Sequence, residues 1–396
     1  MKTPGISRFY STKLSVLCMS LFIVGSVNLS FGQESINQVA TGQFFEVTIA
    51  APSLEGNLLG EPTRQPISIY LPPSYDTSPG KRYPVIYLLH GFTGSNRTWM
   101  VDSELQIGEP PPGSTDIGYG YNVKPILDSL IAEGKIREMI VVAPSTMNSY
   151  KHAYFINSST AGNWEDYLIK DVLSYVDGNY RTLATATSRG ITGHSGGGSS
   201  AVYVGMRHPD IFSIVYAMAA CCLGNLGGFS LELTEGLDPF YQKIFRRLAN
   251  LTSKDQLPLA DFQVPEDFFL NTTLSSAAVF SPNPNRPPLY ADYLYELEDG
   301  QLVKNESAID RFKEHTPLFM IDEYKQNLLS LRGLFLGHGE LEIPLIVNGN
   351  ALFSKALADR SIPHTFEIYA GGDHNNLIKE RLETRVFPYF SDLLDF

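Results

Sequence analysis

One serine lies in a pattern that is typical of nucleophilic catalysis. Residues 193–197 read Gly-His-Ser-Gly-Gly, the only G-x-S-x-G in the sequence. A short strand-like run, Gly190–Thr192, precedes the motif, and a helical stretch rich in small residues follows it. Such a motif places the serine on a tight strand-to-helix turn, where the helix N-terminus faces developing negative charge. We therefore predict that Ser195 attacks a carbonyl carbon as a nucleophile.

A histidine near the C-terminus is placed to remove the proton of that serine, which a weak hydroxyl nucleophile requires. His374 ends a Gly-Gly-Asp-His segment that follows the last strand-like run, Thr365–Tyr369. His364 precedes that run and belongs at the opposite end of a sheet, whereas His338 lies where an acid is expected. We therefore predict His374 as the general base.

A carboxylate should orient this imidazole and stabilise its protonated form. It is expected after the strand-like run Gly333–Gly337, where the sequence continues His-Gly-Glu-Leu-Glu. We predict Glu340 in this role, because the glycines of the loop let its side chain turn back toward the histidine. Glu342 is the alternative in the same loop. Asp373 adjoins His374 and would struggle to reach its Nδ1, so we expect it to stabilise the loop.

Two backbone N–H groups are needed to stabilise the oxygen of a tetrahedral intermediate. One should belong to Gly196, the residue after the nucleophile. The other should come from the loop after the apolar run Tyr83–Leu89, where residues 90–94 read His-Gly-Phe-Thr-Gly. Gly91 permits a turn that exposes the N–H of Phe92. We predict that Phe92 and Gly196 form the oxyanion hole.

The elements that must position these residues alternate between strand-like and helical stretches. The predicted strands are Phe44–Ala50, Ile67–Leu71, Tyr83–Leu89, Met139–Ala143, Gly190–Gly193, Ile214–Ala219, Gly333–Gly337 and Thr365–Tyr369. The predicted helices are Val123–Glu133, Trp164–Tyr175, Gly197–His208, Ile346–Ala358 and Asn376–Leu394. This alternation indicates an α/β fold with a mostly parallel central sheet flanked by helices on both faces.

The alternation lapses between Leu223 and Leu331, and part of this stretch, Ser281–Pro288, is rich in proline. Structureless loops of that length are rare inside compact domains. We therefore expect a partly helical insertion at residues 223–330 that caps the catalytic edge and shapes substrate access. A peripheral decoration without a role in catalysis is the alternative.

The N-terminus has the composition of a signal peptide. Lys2, Arg8 and Lys13 precede an apolar run of 11 residues, Leu14–Val24, which is too short to span a bilayer as a helix of about 20 residues. Small residues follow, and cleavage before Gln33 is expected. Residues 1–32 are thus predicted to direct export, to the periplasm or the extracellular space, and residues 33–396 to form the catalytic domain. An uncleaved N-terminal anchor is the alternative.

Net charge limits the classes of partner. The formal charge of −12 becomes −15 when Lys2, Arg8 and Lys13 leave with the signal peptide. A surface this negative argues against nucleic acid and anionic lipid as partners. No stable membrane insertion is expected after cleavage, and the oligomeric state is left open.

Cysteine and histidine spacing gives no indication of a metal. After cleavage Cys221 and Cys222 remain, and neighbours in sequence are poorly placed for an unstrained disulfide. They end an apolar run, so we expect buried thiols. No Cys/His spacing suggests zinc, and neither a metal nor an organic cofactor is expected.

The sequence resembles the esterase-D-like group of α/β-hydrolases, which includes feruloyl and acetyl xylan esterases, S-formylglutathione hydrolases, enterochelin esterases and mycolyl transferases. Besides the serine motif, the resemblance lies in Tyr70–Tyr75, Tyr83–Gly91, Asn163–Val172, Tyr180–Thr182, Met206–Phe212 and Gly371–His374. It implies the α/β-hydrolase fold, with Ser195 as nucleophile, His374 as base, and Phe92 and Gly196 as oxyanion donors. The family's acid usually ends a Gly-x-x-Asp pattern, whereas this chain has Glu340 at that position.

The residues and the resemblance together predict an exported serine carboxylesterase that works through an acyl-enzyme. Its substrate is expected to be a small-molecule or polysaccharide-linked ester, with carbohydrate-linked acyl and phenolic esters favoured. Five aromatic residues in loops could contact such a substrate or simply pack: Tyr119, Tyr121, Tyr150, Tyr154 and Trp164. An acyltransferase with the same triad and a non-catalytic glycan- or ligand-binding protein of the same fold are the alternatives.

Overall fold

An eight-stranded sheet forms the centre of the protein in a computed structural model that describes residues 40–101, 120–227, 239–257 and 265–396. The predicted signal peptide, residues 1–32, lies outside these described residues. Within them, no helix combines the length and the apolar character that crossing a membrane requires.

The strands, in chain order, are β1 (Gln43–Ala50), β2 (Arg64–Leu71), β3 (Val85–Leu89), β4 (Ile140–Pro144), β5 (Asn157–Ser158), β6 (Gly162–Asn163), β7 (Arg189–His194), β8 (Ile214–Met218), β9 (Tyr295–Glu298), β10 (Gln301–Lys304), β11 (Gly333–Gly339) and β12 (Thr365–Tyr369). The central sheet has the order β1-β2-β4-β3-β7-β8-β11-β12. β2 pairs antiparallel with both of its neighbours, and every pair from β4 to β12 is parallel. The expected mostly parallel sheet is thus confirmed.

The helices, in chain order, are α1 (Val123–Ala132), α2 (Trp164–Asp166), α3 (Leu173–Asn179), α4 (Gly196–Arg207), α5 (Pro239–Ala249), α6 (Pro265–Phe280), α7 (Glu306–Glu314), α8 (Pro317–Met320), α9 (Lys325–Ser330), α10 (Pro344–Asp359), α11 (Ile378–Arg381) and α12 (Phe387–Leu393). Single π-helical segments, Tyr167–Val172 and Leu382–Val386, join α2 to α3 and α11 to α12. Helices are therefore present in each of the five predicted stretches.

The central strands explain why helices cover both faces of the sheet. Every residue of β3 is buried, and successive side chains of a strand point to opposite faces. Val85, Tyr87 and Leu89 belong to one apolar core, which also contains residues of α4. Ile86 and Leu88 belong to a second core, shared with α1 and α12. A strand that is apolar on both faces can only be buried between two layers of helices.

The described parts of residues 223–330 form helices α5 to α9 and the β9–β10 hairpin. Helix α6 lies against loops at the carboxyl end of the sheet. The Ser275 hydroxyl donates to the carbonyl of His152 at 2.7 Å, and the Ser158 hydroxyl donates to the carbonyl of Ala278 at 2.6 Å. The described parts of residues 223–330 are thus partly helical, and α6 contacts the chain that follows β4, at His152 and Ser158.

Candidate active site

Ser195 occupies the turn between β7 and α4 with a backbone φ of 57° and ψ of −119°. Non-glycine residues rarely adopt a positive φ, and such strain is concentrated at functional sites. The glycines on either side of Ser195 are required because other backbone atoms approach them closely. A Cβ at Gly193 would lie 2.5 Å from the carbonyl oxygen of Gly197, and one at Gly197 would lie 2.3 Å from that of Leu89. The motif therefore produces the sharp turn that its sequence predicts.

His374 lies between the serine and a carboxylate. Its Nε2 is 3.0 Å from the Oγ of Ser195, and its Nδ1 is 2.7 Å from Oε2 of Glu342. Because the carboxylate can only accept while it is ionised, we assign the ring proton to Nδ1, which leaves Nε2 to accept from the serine hydroxyl. The arrangement can transfer a proton from the serine to the imidazole.

The loop that carries His374 is fixed by its own hydrogen bonds. One carboxylate oxygen of Asp373 accepts from the N–H groups of Asn375 and Asn376, each at 2.8 Å. Asp373 thus shapes the loop, as expected, and makes no described contact with the imidazole. The carbonyl of His374 accepts from Nε2 of His194 at 2.7 Å, which ties the loop to the residue before Ser195.

The prediction of Glu340 as the partner of His374 is wrong, because the adjacent carboxylate is that of Glu342. Glu340 is exposed, and its Oε2 accepts from the N–H of Gly371 at 3.2 Å. The N–H of Glu340 pairs with the carbonyl of Tyr369 at 2.9 Å, so the chain continues the direction of β11 beyond its predicted end. The chain turns inward only after Glu340, and this turn buries the carboxylate of Glu342 completely.

The predicted oxyanion donors come together beside the serine. A Cβ placed on Gly196 would lie 3.5 Å from the backbone nitrogen of Phe92. The carbonyl of Gly91 accepts from Nδ1 of His90 at 2.8 Å and from the N–H of Gly94 at 3.1 Å. Since the C=O and N–H of a trans peptide point in opposite directions, anchoring this carbonyl orients the N–H of Phe92.

Four of the five loop aromatics are buried, which favours packing over substrate contact. These are Tyr121, Tyr150, Tyr154 and Trp164, whereas Tyr119 lies outside the described residues. A different aromatic residue contacts the ring of Phe92. Phe268 of α6 is 37% exposed, and its ring stands edge-on to that of Phe92 with centroids 5.5 Å apart.

Sequence reasoning missed the histidine that lies beside Gly196. His152 is fully buried in the loop after β4, and a Cβ on Gly196 would lie 2.7 Å from its Nε2. No motif marks this histidine, because only the folded loop brings it to the serine.

Cys221 and Cys222 are free thiols. Cys222 is buried and Cys221 is partly exposed, and burial raises the pKa of the Cys222 thiol well above its ordinary value. Among the residues that the structure describes, no group of three or more His, Cys, Asp or Glu side chains could hold a metal ion.

Comparison with known proteins assigns the family. A sequence model of the Esterase family, described as "Putative esterase", matches residues 61–258, which is half of the chain. The chain belongs to this family. The matched region contains Ser195 and the Phe92 loop, and the expected esterase-D-like membership is thereby confirmed.

A curated relative is similar over part of the chain. The endo-1,4-beta-xylanase/feruloyl esterase of Xylanibacter ruminicola is 32% identical over 152 residues. The aligned region covers 37% of this chain but only 18% of that protein's length. The similarity therefore concerns one part of a much longer protein.

Solved structures share the fold over nearly the whole chain. A ferulic acid esterase has a TM-score of 0.54 at 19% identity and covers 89% of this chain and 99% of its own. The S-formylglutathione hydrolase from Agrobacterium tumefaciens has a TM-score of 0.55 at 12% identity and covers 91% and 98%. At these identities the likeness shows the fold alone, and it confirms the α/β-hydrolase fold.

Proposed function

We propose that the protein is a serine carboxylesterase in which Ser195, His374 and Glu342 form the catalytic triad. The observation that carries the proposal is the continuous chain of two hydrogen bonds, 3.0 Å from serine to imidazole and 2.7 Å from imidazole to carboxylate. Membership of the Esterase family supports the reaction class. The backbone N–H groups of Phe92 and Gly196 serve as oxyanion donors.

The first half-reaction forms an acyl-enzyme. The Oγ of Ser195 bonds to the ester carbonyl carbon while its proton moves to Nε2 of His374, and the carbonyl π pair moves onto oxygen. Glu342 stabilises the resulting imidazolium through its bond to Nδ1. When the tetrahedral intermediate collapses, the bond to the alcohol oxygen breaks and His374 donates its proton to the leaving alcohol.

The second half-reaction uses water in place of the alcohol. His374 takes a proton from the water as its oxygen bonds to the acyl carbon, and the serine oxygen then leaves with that proton. Ser195 and His374 end in their starting protonation states, so the cycle balances with ester and water consumed and acid and alcohol released.

We infer that the substrates are carbohydrate-linked acyl or phenolic esters. A relative whose name includes feruloyl esterase supports this class, and so does the aromatic pair formed by Phe268 and Phe92, the residue of the predicted oxyanion donor, since aromatic rings pack favourably against one another. Residues 223–330 act as a cap through α6, which carries Phe268. Residues 33–396 form the catalytic domain.

Export completes the proposal, because polysaccharide-linked esters lie outside the cell. The basic and apolar composition of residues 1–32 supports cleavage before Gln33. Expression of the full chain in a bacterial host, followed by N-terminal sequencing of the periplasmic or secreted product, should find Gln33 first. A product that retains residue 1 would contradict cleavage.

The substrate class is tested with purified protein on p-nitrophenyl acetate, butyrate and octanoate, methyl ferulate and feruloylated xylan oligosaccharides. We expect hydrolysis of methyl ferulate and of the oligosaccharides, with short p-nitrophenyl chains preferred to octanoate. Hydrolysis of p-nitrophenyl esters alone would retain the esterase and contradict the substrate class.

A further inference from the structure

A buried histidine outside the proposed triad faces the predicted oxyanion hole. His152 is fully buried, and its Nε2 has no hydrogen-bond partner within the described part of the chain. A Cβ on Gly196 would lie 2.7 Å from that nitrogen and 3.5 Å from the backbone nitrogen of Phe92. The imidazole edge, the residue after the nucleophile and the Phe92 nitrogen therefore border one small space.

Hydrogen bonds on three sides hold the backbone of His152. Its N–H donates to Oδ1 of Asn148 at 3.1 Å, and its carbonyl accepts from the hydroxyl of Ser275 at 2.7 Å. The preceding carbonyl, of Lys151, accepts from the N–H of Thr93 in the oxyanion loop at 3.2 Å. Lys151 itself has a φ of 74°, a strained value for a non-glycine residue. The loop is thus held in a conformation that keeps the ring beside Gly196.

The hydrogen bonds of His90 and Thr146 bear on which nitrogen of His152 carries the proton. Nδ1 of His90 must donate to the carbonyl of Gly91, so its Nε2 accepts, and its single lone pair is taken by the N–H of Thr146 at 2.9 Å. The Thr146 hydroxyl lies 3.3 Å from Nδ1 of His152 and has both a proton to donate and lone pairs to accept with. We assign it as the donor, which places the proton of His152 on Nε2, the nitrogen that faces Gly196.

His152 is neutral at the pH of an esterase assay. Burial, and then the adjacent His90, hold the pKa of His152 well below its ordinary value. A neutral ring with its proton on Nε2 is a hydrogen-bond donor that carries no charge to be desolvated. Buried donors are nearly always paired in folded proteins, and this one, which has no partner among the described residues, is free to donate to a group that arrives with the substrate.

We propose that the Nε2–H of His152 is a third oxyanion donor, beside the N–H groups of Phe92 and Gly196. The proposal rests on the esterase function proposed above. As the Oγ of Ser195 bonds to the carbonyl carbon, the π pair moves onto oxygen, and this oxygen accepts from all three N–H groups. When the intermediate collapses, the pair returns to the carbonyl, and His152 keeps its proton throughout.

The proposal also explains why residue 196 is glycine. The imidazole of His152 fills the volume that a side chain at residue 196 would occupy, since even a Cβ would lie 2.7 Å from Nε2. Glycine at that position lets a side chain from a different loop reach the carbonyl oxygen. A merely space-filling histidine is the competing explanation, and it predicts that volume rather than hydrogen bonding matters at residue 152.

Two substitutions at residue 152 separate these explanations. His152→Leu removes the donor and keeps an apolar volume, whereas His152→Gln keeps an N–H near the position of Nε2. With p-nitrophenyl acetate, we expect His152→Leu to lower kcat by about 10²-fold or more with KM within about threefold, as for other oxyanion donors. His152→Gln should recover at least about tenfold of that loss.

His315 offers a control, because it is half-buried and burial lowers its pKa to about 4, yet its ring packs on that of Phe280 and makes no described contact with Ser195 or Gly196. His315→Leu should lower the melting temperature as His152→Leu does but leave kcat within about threefold of the wild type. Thr146→Val gives an independent test if His152→Leu does not fold. It should lower kcat about fivefold, the value of one hydrogen bond.

A folded His152→Leu protein with kcat within threefold of the wild type would overturn the proposal. Equal losses of kcat in His152→Leu and His152→Gln would also overturn the proposal, in favour of packing. If His152→Leu does not fold, an unchanged kcat in Thr146→Val would overturn it. Wild-type protein and Ser195→Ala are assayed alongside. Absence of Ser195-dependent turnover in the wild type would refute the proposed function itself, an outcome distinct from loss of the His152 effect alone.

Discussion

Oε2 of Glu342 lies 2.7 Å from Nδ1 of His374, and the carboxylate is fully buried while the imidazole is 31% exposed. The other carboxylate oxygen of Glu342, Oε1, accepts from the N–H of Ile343 at 2.8 Å, so the carboxylate is held from two sides. A buried carboxylate so placed fixes both the orientation and the tautomer of the imidazole. This relationship makes Glu342 the acid of the proposed triad.

Glu342→Gln should therefore lower kcat strongly while KM changes little. An amide in that place favours the wrong tautomer of His374, an effect of about 10⁴-fold in a well-studied serine protease. We expect a loss of at least about 10²-fold, measured with p-nitrophenyl acetate. Glu340→Gln is the matched control and should stay within about threefold of the wild type. Equal losses in the two variants, or a larger loss in Glu340→Gln, would contradict the assignment.

The choice between these two glutamates shows what the sequence could not determine. The strand order predicted which loop carries the acid, but which glutamate of that loop contacts His374 depends on where β11 ends. Its pairing with β12 continues to Gly339, opposite Tyr369, two residues beyond the predicted end of the strand. Side chains two residues apart share one face of a strand, so the strand pattern alone cannot distinguish Glu340 from Glu342. The turn after Gly339 distinguishes them, because it leaves Glu340 exposed and buries the carboxylate of Glu342.

Gly197→Ala should destabilise the protein, because its Cβ would lie 2.3 Å from the carbonyl oxygen of Leu89 and backbone cannot move aside easily. We expect a loss of about 1–3 kcal/mol in urea denaturation, typical of overpacking. Gly178→Ala is the control. A Cβ there meets nothing within 4 Å, and α3 should gain up to about 1 kcal/mol. Equal stabilities of the two variants would contradict the close approach at Gly197.

Stability should fall as the pH is lowered from about 6.5 to about 4. Burial lowers the pKa of His90 to about 4, below its ordinary value of about 6.5. The unfolded chain therefore binds more protons in this window, so the stabilisation is complete above pH 6.5 and is lost as the pH falls. The shift corresponds to about 3 kcal/mol for His90 alone.

Urea denaturation at pH 7.5 and 4.5 measures this loss. Burial lowers the pKa of His315 to about 4 as well, so His315→Gln should reduce the difference between the two pH values. An unfolding free energy that is the same at both pH values would show that these histidines are not held neutral by the fold.

Phe268→Ala should weaken the binding of aromatic esters. The ring of Phe268 is edge-on to the ring of Phe92, the proposed oxyanion residue, and one aromatic contact contributes about 1 kcal/mol. We expect KM for methyl ferulate to rise about fivefold while kcat for p-nitrophenyl acetate changes little. Phe319→Ala, at a similarly exposed position of α8, is the control. An unchanged KM in Phe268→Ala would argue that α6 does not line the substrate path.

Whether other features could be predicted depends on whether neighbouring residues in the sequence indicate them. The β9–β10 hairpin was not predicted, although its Asp-Gly turn is a strong hairpin signal and both turn residues have positive φ, 47° at Asp299 and 77° at Gly300. The serine motif and the last histidine follow strands directly and were predicted. His152 carries no local signal, because its position depends on the hydrogen bonds of Lys151 with Thr93 and of His152 with Ser275, which come from distant parts of the chain.

Labelling of the wild-type protein with a fluorophosphonate, followed by peptide mapping, tests the nucleophile most directly. The proposed function predicts one adduct, on Ser195, formed in proportion to the loss of p-nitrophenyl acetate hydrolysis. Ser195→Ala should show no adduct and a turnover lower by at least about 10³-fold. An adduct on another residue, or folded Ser195→Ala protein as active as the wild type, would contradict the proposed triad.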